Sequence, residues 1–267
     1  MSAVARIVAA DTGVQERSSL TLDNVSRSFG GLQAVRNVSF DVLPGRVTGL
    51  IGPNGAGKTS TVNLITGLLR LDSGSVRLGD TDISTLPPDR IAREGVGRTF
   101  QNIRLLGEMS VLDNILAGFH RHDATSLAAK FIGLPGVLRQ NRRWRDEAYA
   151  IAARFGLDQL TDRRAGELSY GHQRRVEICR ALAVRPRVLL LDEPAAGMND
   201  VEAEELGQHF RALADSGIAV LLIEHNMRLV MALCDDIHVL ASGVLIASGD
   251  RDAIQRDPAV ISAYLGE

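Results

Sequence analysis

The stretch Gly52-Pro53-Asn54-Gly55-Ala56-Gly57-Lys58-Thr59 restricts this chain more than any other. It matches the phosphate-binding pattern G-x-x-x-x-G-K-S/T at every fixed position. The pattern needs one local setting: a buried strand, a glycine turn and the start of a helix. The flanks provide it. Val47-Thr48-Gly49-Leu50-Ile51 is short and mostly apolar, and residues 60–69 carry Val62, Leu64, Ile65, Leu68 and Leu69 at helical spacing. Glycines let the backbone curl until successive N–H groups face one phosphate chain, and the helix N-terminus adds partial positive charge there. Lys58 is expected to reach the terminal phosphates and Thr59 to offer its hydroxyl to Mg²⁺, with Ser60 closing the binding stretch.

A chain of 267 residues can bury one large core or a core with a subdomain. Its formal net charge of -2 gives no bulk reason to expect nucleic acid as a partner. The two cysteines, Cys179 and Cys234, lie in apolar helical contexts without other ligand-type residues, as reduced core thiols do. No run reaches the roughly 18 apolar residues of a membrane helix. Residues 1–19 lack the apolar core of a signal peptide and are expected to form a flexible tail.

From Leu20 to Arg27 and from Ala34 to Asp41 apolar and polar residues alternate, as in half-buried strands separated by the Phe29-Gly30-Gly31 turn. An antiparallel β region therefore precedes a nucleotide-binding core. After the loop helix come a turn at Asp72-Ser73-Gly74, a strand over residues 75–78, a short helix opened by Pro87, and an extended stretch from Gly95 to Gln101. From Leu112 to about Phe155 the chain reads as helical: Leu112, Ile115 and Leu116 make one apolar face, and Trp144, Ala148, Ile151, Ala152 and Phe155 another. Gly133, Pro135 and Gly136 are expected to break it. The basic run Arg139, Arg142, Arg143 and Arg145 fits a solvated helix face. Two buried strands follow, Val188–Leu191 and Ile218–Ile223, then a hairpin around Ser242-Gly243 and a final helical segment interrupted at Pro258. The fold class is α/β, a mostly parallel P-loop NTPase core with an N-terminal antiparallel β subdomain and an inserted α-helical subdomain. The expected division places a nucleotide-binding domain at 20–267, its core at 20–101 and 166–250, the helical insert at about 102–165 and a helical tail at 251–267.

Asp192 and Glu193 end the first of those late strands. A carboxylate there can hold Mg²⁺ through water, and the next can orient or deprotonate an attacking water. His225 ends the second strand, at the sheet edge where ligands bind; it suits a structural role and a γ-phosphate contact equally. Leu168-Ser169-Tyr170-Gly171-His172-Gln173 opens a helix, with Ser169 as its cap, and offers a second helix start able to take a phosphate.

In order and spacing these elements resemble the ATP-binding subunits of ABC transporters, from about Leu20 to Glu267. The resemblance implies that two subunits pair head to tail, as a homodimer or heterodimer, so that Ser169, Gly171 and Gln173 serve ATP held by the partner's loop. It places Phe29 as the aromatic that stacks on adenine and Gln101 as the glutamine contacting Mg²⁺ and water. It makes Glu193 the catalytic base and His225 the switch histidine. ATP and Mg²⁺ are the implied cofactors. Tyr170 and His172 depart from the usual Leu-Ser-Gly-Gly-Gln signature, and Asn199 stands where many members carry aspartate. Phe29-Gly30-Gly31, Arg98-Thr99-Phe100-Gln101-Asn102-Ile103-Arg104, Pro194-Ala195-Ala196-Gly197 and Ala263-Tyr264-Leu265-Gly266 look most like the branch that energises import of branched-chain (hydrophobic) amino acids.

That branch implies two integral membrane permease subunits, an indirect periplasmic or extracellular substrate-binding protein, no nucleic acid, and a peripheral place on the cytoplasmic face of the cell membrane. Related systems for urea or other amides, or for lipopolysaccharide export, share much of the pattern. Two other classes are a soluble cassette protein without a transport role and a nucleotide-gated subunit that does not hydrolyse. The first usually has two cassettes or long coiled-coil inserts, which this chain lacks; Glu193 and His225 argue against the second.

Overall fold

The alternation from Leu20 onward becomes a pair of antiparallel strands, β1 (Leu20–Phe29) and β2 (Leu32–Val42), in a computed structural model that describes residues 19–119 and 135–265. The expected tail, apart from Ser19, lies outside the described residues, as do Gly133 and Gly266. Strand β3 (Val47–Ile51), buried throughout, leads into the glycine loop and helix α1 (Lys58–Ile65). That helix is shorter than the spacing predicts. Gly67 takes a φ of +70°, which turns the chain before Leu68 and Leu69 can continue the helix. Strand β4 (Ser73–Leu78) takes in Ser73 and Gly74, expected as a turn, because Ser73 pairs with Ser26 across a register shift. The short β5 (Thr81–Asp82), α2 (Pro88–Glu94) and β6 (Val96–Arg98) follow.

The middle of the chain holds α3 (Val111–Phe119), α4 (Pro135–Arg154) and α5 (Tyr170–Ala183). Pro135 and Gly136, read as part of the break between two helical faces, stand at the start of α4; proline is tolerated in a first turn, where its missing N–H has no partner to lose. Arg139, Arg142, Arg143 and Arg145 are exposed on α4, while Ala148 and Ala152 are buried on its other face. Then come β7 (Val188–Asp192), α6 (Asp200–Asp215), β8 (Ala219–Ile223), α7 (Met227–Leu233), β9 (Asp236–Ala241), β10 (Val244–Gly249), α8 (Arg251–Arg256) and α9 (Pro258–Leu265). The β9–β10 turn has both central residues, Ser242 and Gly243, at positive φ, which matches the right-handed twist of the strands it joins.

Two sheets result. One is antiparallel, in the order β2-β1-β4-β5. The other has six strands in the order β10-β9-β3-β8-β7-β6, parallel except for the β9–β10 pair. A common core joins them: Leu22, Val38, Phe40 and Val76 of the first sheet are buried together with Leu50, Leu190 and Leu221 of the second and with Val62 and Ile65 of α1. Because β3, β8 and β7 are neighbours, the turns leaving their carboxyl ends are neighbours too.

The chain divides into two compact units, 1–98 with 187–267, and 99–186. The second unit holds α3, α4 and α5. The helix opening after Ser169, placed by the sequence reading in the segment 166–250, thus groups with 99–186. Its buried Arg174 donates to the carbonyls of Phe100 and Gln101, and Glu177 accepts from the Phe100 N–H at 3.2 Å. Cys179 and Cys234 are buried free thiols; burial pushes the Cys234 thiol up to about 12 and the Cys179 thiol further. Both are inert as nucleophiles.

Candidate functional site

The glycine loop of the first unit is a tight cradle. A Cβ at Gly52 would run into the Leu240 carbonyl, and one at Gly57 would lie 2.5 Å from the Ala34 carbonyl oxygen. The β9–β10 turn braces the loop: the Gly243 N–H donates to the Ala56 carbonyl at 2.9 Å, and Gly243 accepts from the Arg36 N–H at 2.7 Å. Gly57, at φ +105°, precedes α1 without a side-chain cap. The first N–H groups of a helix have no intrahelical partner, and here they open on the loop. Lys58 is buried, and its Nζ donates to the carbonyls of Gly52 at 2.7 Å and Pro53 at 3.0 Å. Burial draws its ammonium below the usual 10.5, against the opposing pull of the Glu193 and Asp192 carboxylates. Thr59 is exposed in the first turn, and Asn54 and Gly55 are exposed at the loop tip.

Two further strand ends bring the acidic groups in. Asp192, the last residue of β7, is 2% exposed. Its Oδ2 is held by Arg98 at 2.9 Å, and Arg98 also donates to Asn63 at 2.7 Å and Thr66 at 3.2 Å, both on the α1 side of the loop. Glu193 follows at φ +47°, a region a non-glycine residue seldom occupies and one that concentrates at functional sites. Its N–H donates to the Ile223 carbonyl at 2.9 Å, which ties the turn after β7 to the end of β8. His225 lies two residues past β8. Its Nδ1 stands 4.0 Å from Glu193 Oε2 and 3.9 Å from Glu224 Oε2, and its side chain is 62% exposed.

In the second unit, Ser169 caps α5, accepting from the His172 N–H at 3.5 Å; its Oγ also lies 2.9 Å from His172 Nδ1. The unusual His172 thus engages the serine hydroxyl directly. Gln173 Nε2 donates to the Leu168 carbonyl at 2.9 Å. Gly171 sits in the first turn of α5, and Tyr170 beside it is exposed. Gln101 is exposed, with its carbonyl held by Arg174. Asn199, the other departure, caps α6 in a reciprocal capping box with Glu202.

Phe29 ends β1, exposed, with the Arg27 guanidinium 5.0 Å from its ring centroid. For a divalent cation, the first unit offers the Asp192 carboxylate and the Thr59 hydroxyl. An oxygen-only donor set beside a phosphate cradle suits Mg²⁺, which is usually held through one or two carboxylates and substrate phosphates. Among the described residues no group of three or more His, Cys, Asp or Glu gathers as a softer metal site would need.

The structure therefore brings Lys58, Asp192, Glu193 and His225 to neighbouring strand ends of one unit, and places Gln101, Ser169, Gly171 and Gln173 in the other. Sequence reasoning missed Arg98, Glu224 and the Arg174–Glu177 pair. Each left a trace: a charge at the end of an apolar strand for Arg98 and Glu224, and i,i+3 spacing on one helix for the pair.

Residues 35–196 match the family model described as ABC transporter, and residues 244–267 match one described as branched-chain amino acid ATP-binding cassette transporter. The chain is 42% identical to the high-affinity branched-chain amino acid transport ATP-binding protein BraF of Pseudomonas aeruginosa, covering 94% of this chain and 99% of BraF. It is 41% identical to LivG of Escherichia coli K12, which bears the same description, covering 93% and 98%. The lipopolysaccharide export ATP-binding protein LptB of the same strain is 36% identical, over 94% and 98%. Among solved structures, a nucleotide-free ATP-binding cassette from an ABC transporter superposes with a TM-score of 0.80 at 35% identity, covering 93% of this chain and 99% of the cassette.

Proposed function

The chain belongs to the ABC transporter family of ATP-binding proteins, and on that premise we propose that it hydrolyses ATP to energise uptake of branched-chain amino acids. The observation that carries the activity is the convergence of Lys58, Asp192, Glu193 and His225 on the adjoining ends of β3, β7 and β8. The substrate class rests on the C-terminal match at 244–267 and on the similarity to BraF and LivG.

In this reading the loop 52–60 binds the phosphates through its amides and Lys58. Mg²⁺, when bound, would neutralise phosphate charge, and Thr59 and Asp192 would hold it. Glu193 orients and deprotonates the attacking water, His225 stabilises the γ-phosphate, and Phe29 stacks on adenine. A second cassette, a copy of this chain or a paralogue, presents Ser169, Gly171 and Gln173 to the bound nucleotide. Catalysis of this kind is mainly positioning and charge stabilisation.

ABC cassettes work as dimers with membrane permeases. In this reading the helical segments at about 102–165 of the two paired cassettes move against two separate permease subunits, which a substrate-binding protein outside the membrane supplies. The unit that carries the glycine loop and the ends of β7 and β8 supplies the chemistry, with 251–267 as a helical tail. None of the described helices is long and apolar enough to cross a membrane. Attachment to permeases then places the chain peripherally on the cytoplasmic face.

Two measurements test this. Glu193→Gln should bind ATP and accumulate dimers while turnover is abolished; hydrolysis at the wild-type rate would remove Glu193 as the base. Loss of the chain should abolish leucine, isoleucine and valine uptake. Similarity to LptB supports lipopolysaccharide export as a second reading. Intact uptake with defective lipopolysaccharide delivery would favour it.

A further inference from the structure

We propose that Glu224 is a positioning residue for hydrolysis: its buried carboxylate locks the turn after β7 to the loop after β8 and so sets the spacing of Glu193 and His225. The inference rests on the ATPase reading above. Strand β8 is an apolar run, Ala219-Val220-Leu221-Leu222-Ile223, buried throughout, and the next residue is a carboxylate only 1% exposed. A buried charge at that place is costly unless it is fully hydrogen-bonded.

The bonds it makes are specific. Oε1 accepts from the Ala195 N–H at 2.9 Å, and Oε2 accepts from the N–H groups of His225 at 3.2 Å and Asn226 at 3.4 Å. Ala195 lies two residues beyond Glu193; His225 and Asn226 open the other loop. Both oxygens of one side chain therefore clamp the two segments that carry the proposed base and the γ-phosphate ligand. The His225 Nδ1 is itself 3.9 Å from Glu224 Oε2.

The donor set explains the residue type. Only an acceptor-only group can take N–H groups on both of its oxygens. Glutamine in the same shape would turn an NH₂ toward donors on one side and release one loop. Asn226 also caps α7, accepting from the Leu229 N–H at 3.2 Å, so the clamp extends to the start of that helix. Glu193 itself depends on its neighbours to hold φ at +47°. Glu224 bonds to backbone and touches no reacting atom; its effect on the reaction passes through the two loops.

The test uses the full chain, purified as wild type, Glu224→Gln, Glu224→Asp, His225→Ala and the double variant Glu224→Gln/His225→Ala. ATP affinity is measured by calorimetry, turnover by phosphate release, and folding by the melting midpoint. Glu224→Gln should bind ATP within about twofold of wild type while kcat falls about ten- to a hundredfold, the scale on which displaced catalytic groups lose rate. Glu224→Asp keeps the acceptors with a shorter reach and should fall between. The double variant should lose less than the product of the two single losses, because part of the Glu224 effect passes through the His225 loop and the rest through the Glu193 loop. A Glu224→Gln kcat within twofold of wild type, or losses that multiply in the double variant, would overturn the proposal. If Glu224→Gln does not fold, Glu224→Asp decides: unchanged kcat refutes, reduced kcat at unchanged ATP affinity supports. A wild-type chain that binds ATP without hydrolysing it would instead sink the ATPase reading, and this inference with it.

Discussion

Replacing Arg174 with methionine removes one half of the most deeply buried ion pair among the described residues. Arg174 is 0% and Glu177 2% exposed, with Nη1 2.7 Å from Oε2. The substitution leaves the Glu177 carboxylate with the Phe100 N–H at 3.2 Å as its remaining described hydrogen bond, and deprives the Phe100 and Gln101 carbonyls of their donor. Breaking a buried pair from one side costs about 3–5 kcal/mol, because an uncompensated charge stays in the interior. For a chain of this size each kcal/mol moves the melting midpoint by about 2–4 °C, so the expected drop is about 6–20 °C. Arg174→Met/Glu177→Leu removes the stranded charge and should recover about 1–2 kcal/mol, although the Phe100 and Gln101 carbonyls still lose the Arg174 donor. Urea titration and thermal scans measure both. A single variant within about 1 kcal/mol of wild type, or a double variant less stable than the single, would refute the reasoning.

Gly57→Ala forces a side chain into φ +105° with its Cβ 2.5 Å from the Ala34 carbonyl oxygen; it should abolish ATP binding in calorimetry, and retained affinity would mean that the loop tolerates a shift. Asn199→Ala removes the Oδ1 that accepts from the Glu202 N–H, leaves the backbone N–H of residue 199 donating to the Glu202 carboxylate, and should cost about 1 kcal/mol in urea unfolding, whereas Asn199→Asp should be close to neutral. Burial draws His238 below its ordinary 6.5, against the pull of Asp236 and Asp41. The unfolded chain then takes up the proton first, so this stability contribution is complete above about pH 6.5 and is lost as pH falls toward the lower folded value. His238→Gln should flatten that part of the stability–pH curve; an unchanged slope would rule His238 out as its source.

Short-range order was legible wherever neighbours in sequence are neighbours in space. The glycine loop is bounded by the strand and helix its flanks imply, and Ser169 caps the helix it precedes, because a cap needs only a side chain and an N–H three residues on. Boundaries failed where a distant partner decided them. Ser73 joined β4 because Ser26 was there to pair with it; the end of α1, by contrast, was set locally, where Gly67 left the helical region. Pro135, read as part of a break between two helical stretches, opens the second of them, because proline disrupts a helix interior yet suits its first turn.

By itself, the amino-acid order determined the phosphate loop, the acidic and histidine strand ends and the α/β class, since each is written in contiguous residues with a fixed period or spacing. Tertiary structure alone decided what supports them. Arg98 reaches Asp192 across 94 positions, Gly243 braces Ala56 from a hairpin late in the chain, and the Glu224 carboxylate closes on Ala195 across 29. A charged side chain in isolation carries no sign of its partner. Only when β3, β8 and β7 lie side by side does burial leave these groups one another as the way to satisfy their hydrogen bonds.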